Sequence, residues 1–322
     1  MVSKSAFLVL PAVVLSLCTW HAKLAGCQES RVPEAEVWKF WNETLTRAAS
    51  EPLEFSVEQI KEPLPYLKYR VTYRSLDGVK VRAYLSKPIQ GTTSSKQLPA
   101  IITAPGYGGR EHGVMLAECQ RGYIVLQVDP RSQGESAELW SIDGPDFLTW
   151  HISRPEGYFY QGAYIDVLRA IDYLSTRGDV DNTLVGMMAT SAGGGIVLAV
   201  ASIDQRIRAV VAHLPCLCSM RRAAEIPGSL VRDQLEKYRT LNSESLNTLD
   251  FFDPVNLVSK LQVPTLISAG GKDRRCPRES IQDVFERIPG TKALAFFPSL
   301  VHTSSEDFYG MSWEWMARYL RH

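Results

Sequence analysis

The segment GMMATSAGGGIVLAV, residues 186–200, decides the fold. Its first half has the pattern of a buried strand, its second half is an apolar helix, and the chain passes from one to the other around Ser191. A nucleophilic serine at such a corner needs small neighbours, because the strand must reverse into a helix without side-chain collisions. Ala189 and Gly193 flank Ser191 at the required positions. The segment predicts a corner that exposes Ser191 as a nucleophile; a glycine-rich helix start packed on a sheet is the alternative.

Apolar runs of strand length recur along the chain, with helical segments between several of them. They are LPAIITA (98–104), GYIVLQVD (122–129), TLVGMMAT (183–190), RIRAVVAH (206–213), VPTLISAG (263–270) and ALAFF (293–297). Such runs suit strands that are covered by helices on both faces. Upstream, an amphipathic helix is predicted within residues 33–52, and two alternating runs within 67–88 join through Asp77-Gly78, which predicts a hairpin. The sequence predicts an antiparallel start that leads into a mostly parallel sheet.

Two further residues complete a candidate catalytic set with Ser191. A serine hydroxyl needs an imidazole to accept its proton, and the imidazole needs a carboxylate to fix its tautomer. Asp273 follows the run 263–270, and His302 follows the run 293–297. Taken singly, Asp273 could be a helix cap and His302 a loop histidine. Together they stand at the ends of consecutive predicted strands in the order serine, acid, histidine, which predicts a triad.

Acyl transfer also needs hydrogen-bond donors for the oxyanion that develops on the attacked carbonyl. The loop PGYGG follows the run 98–104, and its Gly106 turns the chain so that the N–H of Tyr107 can face the site. The N–H of Ala192 is the second predicted donor, because the residue after the nucleophile usually supplies one.

Composition favours an ordinary globular protein with neutral partners. The 322 residues include 35 Lys and Arg and 35 Asp and Glu, and no long run of one charge is present. A nucleic-acid partner is therefore not expected. Residues 1–27 combine Lys4, a short apolar run and small residues, which predicts a signal peptide, export from the cell and a single catalytic domain over 28–322. The letters LAGC ending at Cys27 resemble a lipid-attachment site, with retention by a membrane-spanning helix as an alternative.

Cysteine usage predicts no dense disulfide framework. His213, Cys216 and Cys218 are close in sequence, but no second pair completes a four-ligand metal set, so the two cysteines are interpreted as small buried residues at a strand end. No metal and no cofactor is predicted, because no dinucleotide or phosphate-binding motif is present.

With these motifs, the chain resembles the acetyl xylan esterase and cephalosporin-C deacetylase family of carbohydrate esterases, over residues 34–320. The likeness is carried by PGYGG, DPRSQG, GYFYQGAYIDVLRAIDYL, SAGGG, TLDFFDPVNL and GGKDRRCP. It implies an α/β-hydrolase fold, deacetylation of small sugar esters by Ser191, Asp273 and His302, and frequent assembly into homo-oligomers. It also implies that Arg131 and Gln133 tie the loops of the site together.

Three motifs depart from the pattern of that family. The serine motif has Ala189 and Ala192, the second motif has Ser132 between Arg131 and Gln133, and Thr303 follows His302. The leading hypothesis is an exported serine esterase acting on small acetylated saccharides. A peptidase or broad-specificity hydrolase of the same fold, and a non-catalytic carbohydrate-binding relic, are the alternatives.

Overall fold

The computed structural model describes residues 32–89, 97–109 and 112–321. The predicted signal peptide, including Cys27, lies outside these described residues. Over the described part of the chain, no helix is both long and apolar enough to span a bilayer.

Nine strands form one sheet in the described chain, in the spatial order β1-β2-β3-β5-β4-β6-β7-β8-β9. Their bounds are β1 Phe55–Ile60, β2 Tyr66–Arg74, β3 Lys80–Pro88, β4 Leu98–Thr103, β5 Ile124–Asp129, β6 Val180–Thr190, β7 Ala209–His213, β8 Thr265–Gly270 and β9 Lys292–Phe297.

Strand direction follows the sequence-based expectation. The first three strands run antiparallel to their neighbours, through to the pairing of β3 with β5, and all pairings from β5 to β9 are parallel. The predicted hairpin turns at Leu76–Gly78, where Asp77 adopts a positive φ of 61°. The predicted mostly parallel sheet with an antiparallel start is confirmed. Strand β1, which was not predicted, adds to the edge by pairing with β2.

Nine α-helices occur among the described residues. They are α1 Glu34–Ser50, α2 Phe159–Ser175, α3 Ala192–Ile203, α4 Met220–Glu225, α5 Leu230–Lys237, α6 Ser243–Asp250, α7 Pro254–Leu257, α8 Arg278–Arg287 and α9 Glu306–Tyr319.

Helices bury both faces of the sheet, which explains why the strands are apolar throughout. Along β4, Ile102 belongs to the larger core with α2 and α3, while its neighbour Ile101 belongs to a second core with Phe308 and Met316 of α9. Successive side chains of a strand point to opposite faces. Both faces of the strand are therefore apolar, and its residues do not alternate strictly between polar and apolar.

The strand order reverses at β4, and this reversal positions the site. From β4 the chain moves to β5 on one side, and β6 lies on the other side of β4. The loops after β4 and β6 consequently leave the sheet in opposite directions and open a crevice at its carboxyl edge. Gly106 and Tyr107 follow β4, and Ser191 follows β6.

Candidate active site

Ser191 occupies the sharp corner that its sequence neighbourhood predicts. It lies between β6 and α3 with φ 57° and ψ −127°, a conformation that costs a non-glycine residue free energy. Neighbouring backbone holds it there: its N–H donates to the carbonyl of His213 at 2.9 Å, and its carbonyl accepts from the N–H of Cys216 at 2.9 Å. The strained serine is fixed by the last residue of β7 and by the segment that follows this strand.

Glycines around the corner allow backbone to approach backbone. A Cβ on Gly193 would collide with the carbonyl of Ala104, and one on Gly195 with the carbonyl of Cys216. A Cβ on Gly113 would lie 2.6 Å from the Cα of Ala189. The space beside residue 189 is thus provided by a glycine on the facing segment, which explains how alanine fits two residues before the nucleophile.

The structure brings the three predicted side chains of the triad into one hydrogen-bonded line. The Nε2 atom of His302 is 3.0 Å from the Oγ atom of Ser191. Its Nδ1 atom is 2.8 Å from Oδ2 of Asp273. Asp273 lies 82 positions after Ser191 in the sequence, and His302 lies 29 positions after Asp273. The three residues come together because each follows a strand that ends at the same edge of the sheet. The arrangement is that of a nucleophile, a base and the acid that orients the base.

Asp273 is oriented by its own loop. Its side chain is fully buried, and its Oδ1 atom accepts from the N–H of Arg275 at 2.9 Å and from that of Cys276 at 3.0 Å. One carboxylate oxygen is therefore occupied by backbone donors and the other faces His302. The backbone of its own loop therefore holds the carboxylate in the orientation that faces the imidazole.

Of the two predicted oxyanion donors, Tyr107 lines the cavity of the site and Ala192 directly follows Ser191. Gly106, Tyr107 and Ser191 line the same cavity, which has a volume of about 320 Å³. The Tyr107 hydroxyl donates to Asp146 at 2.6 Å and accepts from the N–H of Leu148 at 3.2 Å, which fixes this loop. In the described residues, the backbone N–H groups of Tyr107 and Ala192 have no hydrogen-bond acceptor. Their role as oxyanion donors stays a prediction.

Arg131 and Gln133 lie beside the site and do not line its cavity. Buried Arg131 makes two parallel hydrogen bonds to Asp166 of α2, at 2.9 and 2.8 Å, and also bonds the carbonyl of Leu76. Gln133 packs against Gly109, close enough that a Cβ there would be 3.0 Å from the Cβ of Gln133. These contacts connect the segment after β5 to helix α2, to the turn between β2 and β3 and to the loop after β4; a role in supporting the site stays a prediction.

Several cavity residues were not predicted from the sequence. They are Thr190, Leu214, Cys216, Leu230, Arg275, Thr303 and Ser304. Most carry no recognisable motif. Arg275 does have a signal, because it belongs to a cluster of cations around the predicted acid.

Cys216 corrects the prediction made for the cysteines. It forms a disulfide bond with Cys276, with 4.8 Å between the two Cα atoms, whereas Cys218 is a buried free thiol as predicted. The bond joins the segment after β7 to the loop that carries Asp273. Its Cys276 sulfur lies 4.0 Å from Oγ of Ser191. The pairing could not be read from the sequence because the two cysteines are 60 residues apart.

Removing this disulfide should destabilise the protein. Closure of a loop of this length predicts a loss of about 4 kcal/mol in the free energy of unfolding for the Cys216→Ala/Cys276→Ala double variant. Urea denaturation of both proteins, with and without reductant, measures the difference. Reductant should lower the stability of the wild type toward that of the variant and leave the variant unchanged. Equal stability of the two oxidised proteins would contradict this prediction.

His213 positions the residue next to His302. Its Nδ1 atom is 2.7 Å from the Ser268 hydroxyl, which also accepts from the N–H of Leu214 at 2.9 Å. The carbonyl of Thr303, 3.3 Å from Nε2, can only accept a hydrogen bond, so Nε2 of the neutral ring carries the hydrogen and Nδ1 accepts from the Ser268 hydroxyl. Burial lowers the pKa of His213 to about 4, so the imidazole is neutral near pH 7. Both ring nitrogens have protein partners, which leaves neither free for a metal.

The depressed pKa of His213 predicts a pH-dependent stability. Below its unfolded pKa the unfolded chain binds a proton that the folded chain does not, so stability falls as pH drops from about 7 toward 4. The shift corresponds to about 3 kcal/mol. The His213→Gln variant lacks this titration. As pH drops across this range, the free energy of unfolding of the wild type should fall by that amount more than that of the variant. Parallel curves of unfolding free energy against pH would show that His213 does not contribute to the pH dependence of stability.

One group of described residues has the spacing of metal ligands. Ligand atoms of Asp273, Cys276 and His302 lie within 4.8 Å of one another. The Cys276 sulfur is, however, bonded to Cys216, and the carboxylate and imidazole bond each other. The donor set does not fit a metal centre.

The chain is similar to a curated acetyl esterase and to solved acetyl xylan esterases. The acetyl esterase Axe7A of Xylanibacter ruminicola is 25% identical over 294 residues, covering 85% of this chain and 65% of that protein's length. The solved acetyl xylan esterase of Paenibacillus sp. R4 superposes with a TM-score of 0.82 at 24% identity, covering 91% of this chain and 96% of that one. Acetyl xylan esterase 1 of Thermoanaerobacterium sp. JW/SL YS485 gives a TM-score of 0.80 at 20% identity, with coverages of 88% and 93%. These two structures share the fold.

A match to a family model assigns the chain to a protein family. The model described as acetyl xylan esterase (AXE1) matches residues 23–319, nearly the whole chain. The chain belongs to the acetyl xylan esterase (AXE1) family.

Proposed function

We propose that this protein is a serine esterase that removes acetyl groups from small saccharide esters through an acyl-serine intermediate. The observation that carries the proposal is the hydrogen-bonded line from Ser191 through His302 to Asp273 at the wall of a cavity. Family membership and the similarity to the Xylanibacter acetyl esterase support the acetyl group and the saccharide.

In this mechanism Ser191 Oγ attacks the acetyl carbonyl carbon while Nε2 of His302 takes the hydroxyl proton. The carbonyl oxygen becomes an oxyanion, which the N–H groups of Tyr107 and Ala192 stabilise. The C–O bond to the sugar then breaks, and the imidazolium gives its proton to the departing alcohol. A water molecule, deprotonated by His302, then attacks the acetyl-serine; the bond between the acyl carbon and Ser191 Oγ breaks, acetate leaves, and His302 returns the proton to Oγ.

The size of the cavity supports a short acyl group. Its volume of about 320 Å³ is at the low end of ligand sites, and it must hold both the acyl group and the adjoining part of the alcohol. Bulky Leu214 and Leu230 contribute to its walls. Acetyl esters should therefore react faster than esters of longer acids.

Labelling and substrate profiling test the proposal. A fluorophosphonate probe should label Ser191 in the folded protein, and kcat/KM should decrease from acetyl to butyryl to octanoyl esters. Acetylated xylo-oligosaccharides should be hydrolysed in preference to aminoacyl esters. Faster cleavage of aminoacyl or octanoyl esters would instead support a peptidase or a broad-specificity hydrolase. No labelling of the folded protein would support a non-catalytic carbohydrate-binding relic.

We further propose that the protein is exported. The signal-like pattern of residues 1–27 supports this, and so does the disulfide bond, since disulfides persist mainly in oxidising compartments. Lipid attachment at Cys27 and assembly into a homo-oligomer remain predictions from the sequence and the resemblance.

A further inference from the structure

The loop that carries Asp273 is strongly cationic. Lys272, Arg274 and Arg275 lie in this loop, and a fourth cation, Arg278, begins α8 directly after it and pairs with Glu279. Asp273 is buried behind His302 and does not neutralise the surface of the loop. The loop therefore presents positive charge beside the candidate active site.

Of these four cations, Arg275 alone lines the cavity that contains Ser191 and His302. Its backbone is held firmly: its N–H donates to Asp273 at 2.9 Å, and its carbonyl accepts from the N–H of Leu230 at 2.9 Å. The adjacent disulfide at Cys276 fixes the same loop. A guanidinium is thus anchored at the cavity wall by the backbone that orients the acid of the triad.

Within the described part of the chain, the side chain of Arg275 forms an ion pair with Asp233 of α5. The pair joins Nη1 to Oδ2 at 2.9 Å, and both side chains are 42% exposed. An exposed ion pair contributes little free energy and exchanges readily with other partners. Arg275 has five N–H donors, so a second carboxylate can bind it without displacing Asp233.

No aspartate or glutamate belongs to the described lining of this cavity. Behind the lining, the buried carboxylate of Asp146 accepts from the hydroxyl of Tyr107, and burial raises the pKa of Asp146. A negatively charged substrate in this cavity would therefore be attracted by Arg275, and no carboxylate of the lining would repel it. A neutral saccharide would offer no charged group to the guanidinium of Arg275.

Building on the proposed esterase function, we infer that the preferred substrates are acetylated saccharides that carry a carboxylate, such as acetylated uronic-acid units, and that Arg275 binds this carboxylate. Arginine suits the task because its planar donors match both oxygens of a carboxylate. Arg275 is then a specificity-determining residue for the alcohol part of the ester.

A matched pair of acetyl esters tests this inference. The anionic probe is p-acetoxybenzoate and the neutral probe is its methyl ester, and the measured quantity is the ratio of their kcat/KM values. Differences in leaving-group reactivity are the same for every variant and cancel when ratios are compared. The Arg275→Gln variant should lower the ratio by about tenfold, mainly through KM for the anionic ester, as expected for loss of a charge-assisted hydrogen bond at a partly exposed site.

Two further variants serve as controls. Arg274→Gln removes the same charge from the same loop but outside the cavity, so it should change the ratio far less than Arg275→Gln. Asp233→Asn frees the guanidinium and should raise the ratio. Added sodium chloride should lower the ratio of the wild type toward that of Arg275→Gln. Equal effects of the two arginine variants, or equal losses on both esters in Arg275→Gln, would overturn the inference.

The same measurements separate this inference from the proposed function. If the wild type hydrolyses the neutral ester and loses this activity on replacement of Ser191, the esterase function stands whatever the ratio does. If it hydrolyses neither ester, the proposed function itself fails. The same preference can be tested with saccharide substrates by comparing kcat/KM for acetylated xylo-oligosaccharides with and without a uronic-acid substituent.

Discussion

Replacing Ser191 by alanine should lower kcat for acetyl esters by about 10⁴ to 10⁶-fold, the loss expected when the nucleophile of a serine hydrolase is removed. The physical reason is geometric: Oγ of Ser191 is the hydroxyl 3.0 Å from Nε2 of His302, and alanine leaves that base without a nucleophile to activate. Steady-state hydrolysis of p-nitrophenyl acetate and of acetylated xylo-oligosaccharides measures the effect.

Ser202→Ala is the matched control for this prediction. Ser202 is a buried serine of the same helix α3, and its hydroxyl bonds the carbonyl of Leu198. The control removes an identical group without touching the candidate site, so its turnover should remain close to that of the wild type. Unchanged turnover in the Ser191 variant would refute the assignment of Ser191 as the nucleophile.

The Asp273→Asn variant should lower kcat by about 10⁴-fold while leaving the fold intact. The amide oxygen of asparagine can still accept from the N–H groups of Arg275 and Cys276, as Oδ1 of Asp273 does. Its NH₂ group would then face Nδ1 of His302, which must become an acceptor. The hydrogen of the imidazole would move to Nε2, and His302 could no longer take the proton of Ser191.

This prediction separates the acid's electronic role from its structural role. Asp204→Asn is a comparison on the far end of α3, where Asp204 pairs with Arg206, and kcat should be close to that of the wild type. Thermal unfolding checks that the Asp273 variant is folded. A folded Asp273→Asn protein with wild-type turnover would mean that the carboxylate does not set the tautomer of His302.

Both predictions rest on residues that local sequence patterns reveal. Ser191 is recognisable because only small neighbours permit a strand to turn directly into a helix. Asp273 and His302 are recognisable because each follows an apolar strand, and parallel strands place their carboxyl ends at one edge. The structure brings the three side chains together as this reasoning anticipates, while their catalytic roles await the experiments described.

Other features could not be derived from local patterns. Strand β1 is exposed along most of its length, so no burial pattern marks it, and its extended form depends on pairing with β2. The network of His213 links residues 55 and 90 positions away, at Ser268 and Thr303. Such contacts depend on which strands become neighbours, and strand order is not encoded in the periodicity of any one segment.

By itself, the sequence determined the class of sheet, the corner at Ser191 and the chain order of the candidate triad, since hydrophobic periodicity and turn sterics act over a few residues. Only the tertiary structure decided that Cys216 joins Cys276 and that Arg275, alone among its neighbouring cations, enters the cavity. Those outcomes arise because β7, β8 and β9 lie side by side, which brings their following loops together across long stretches of chain.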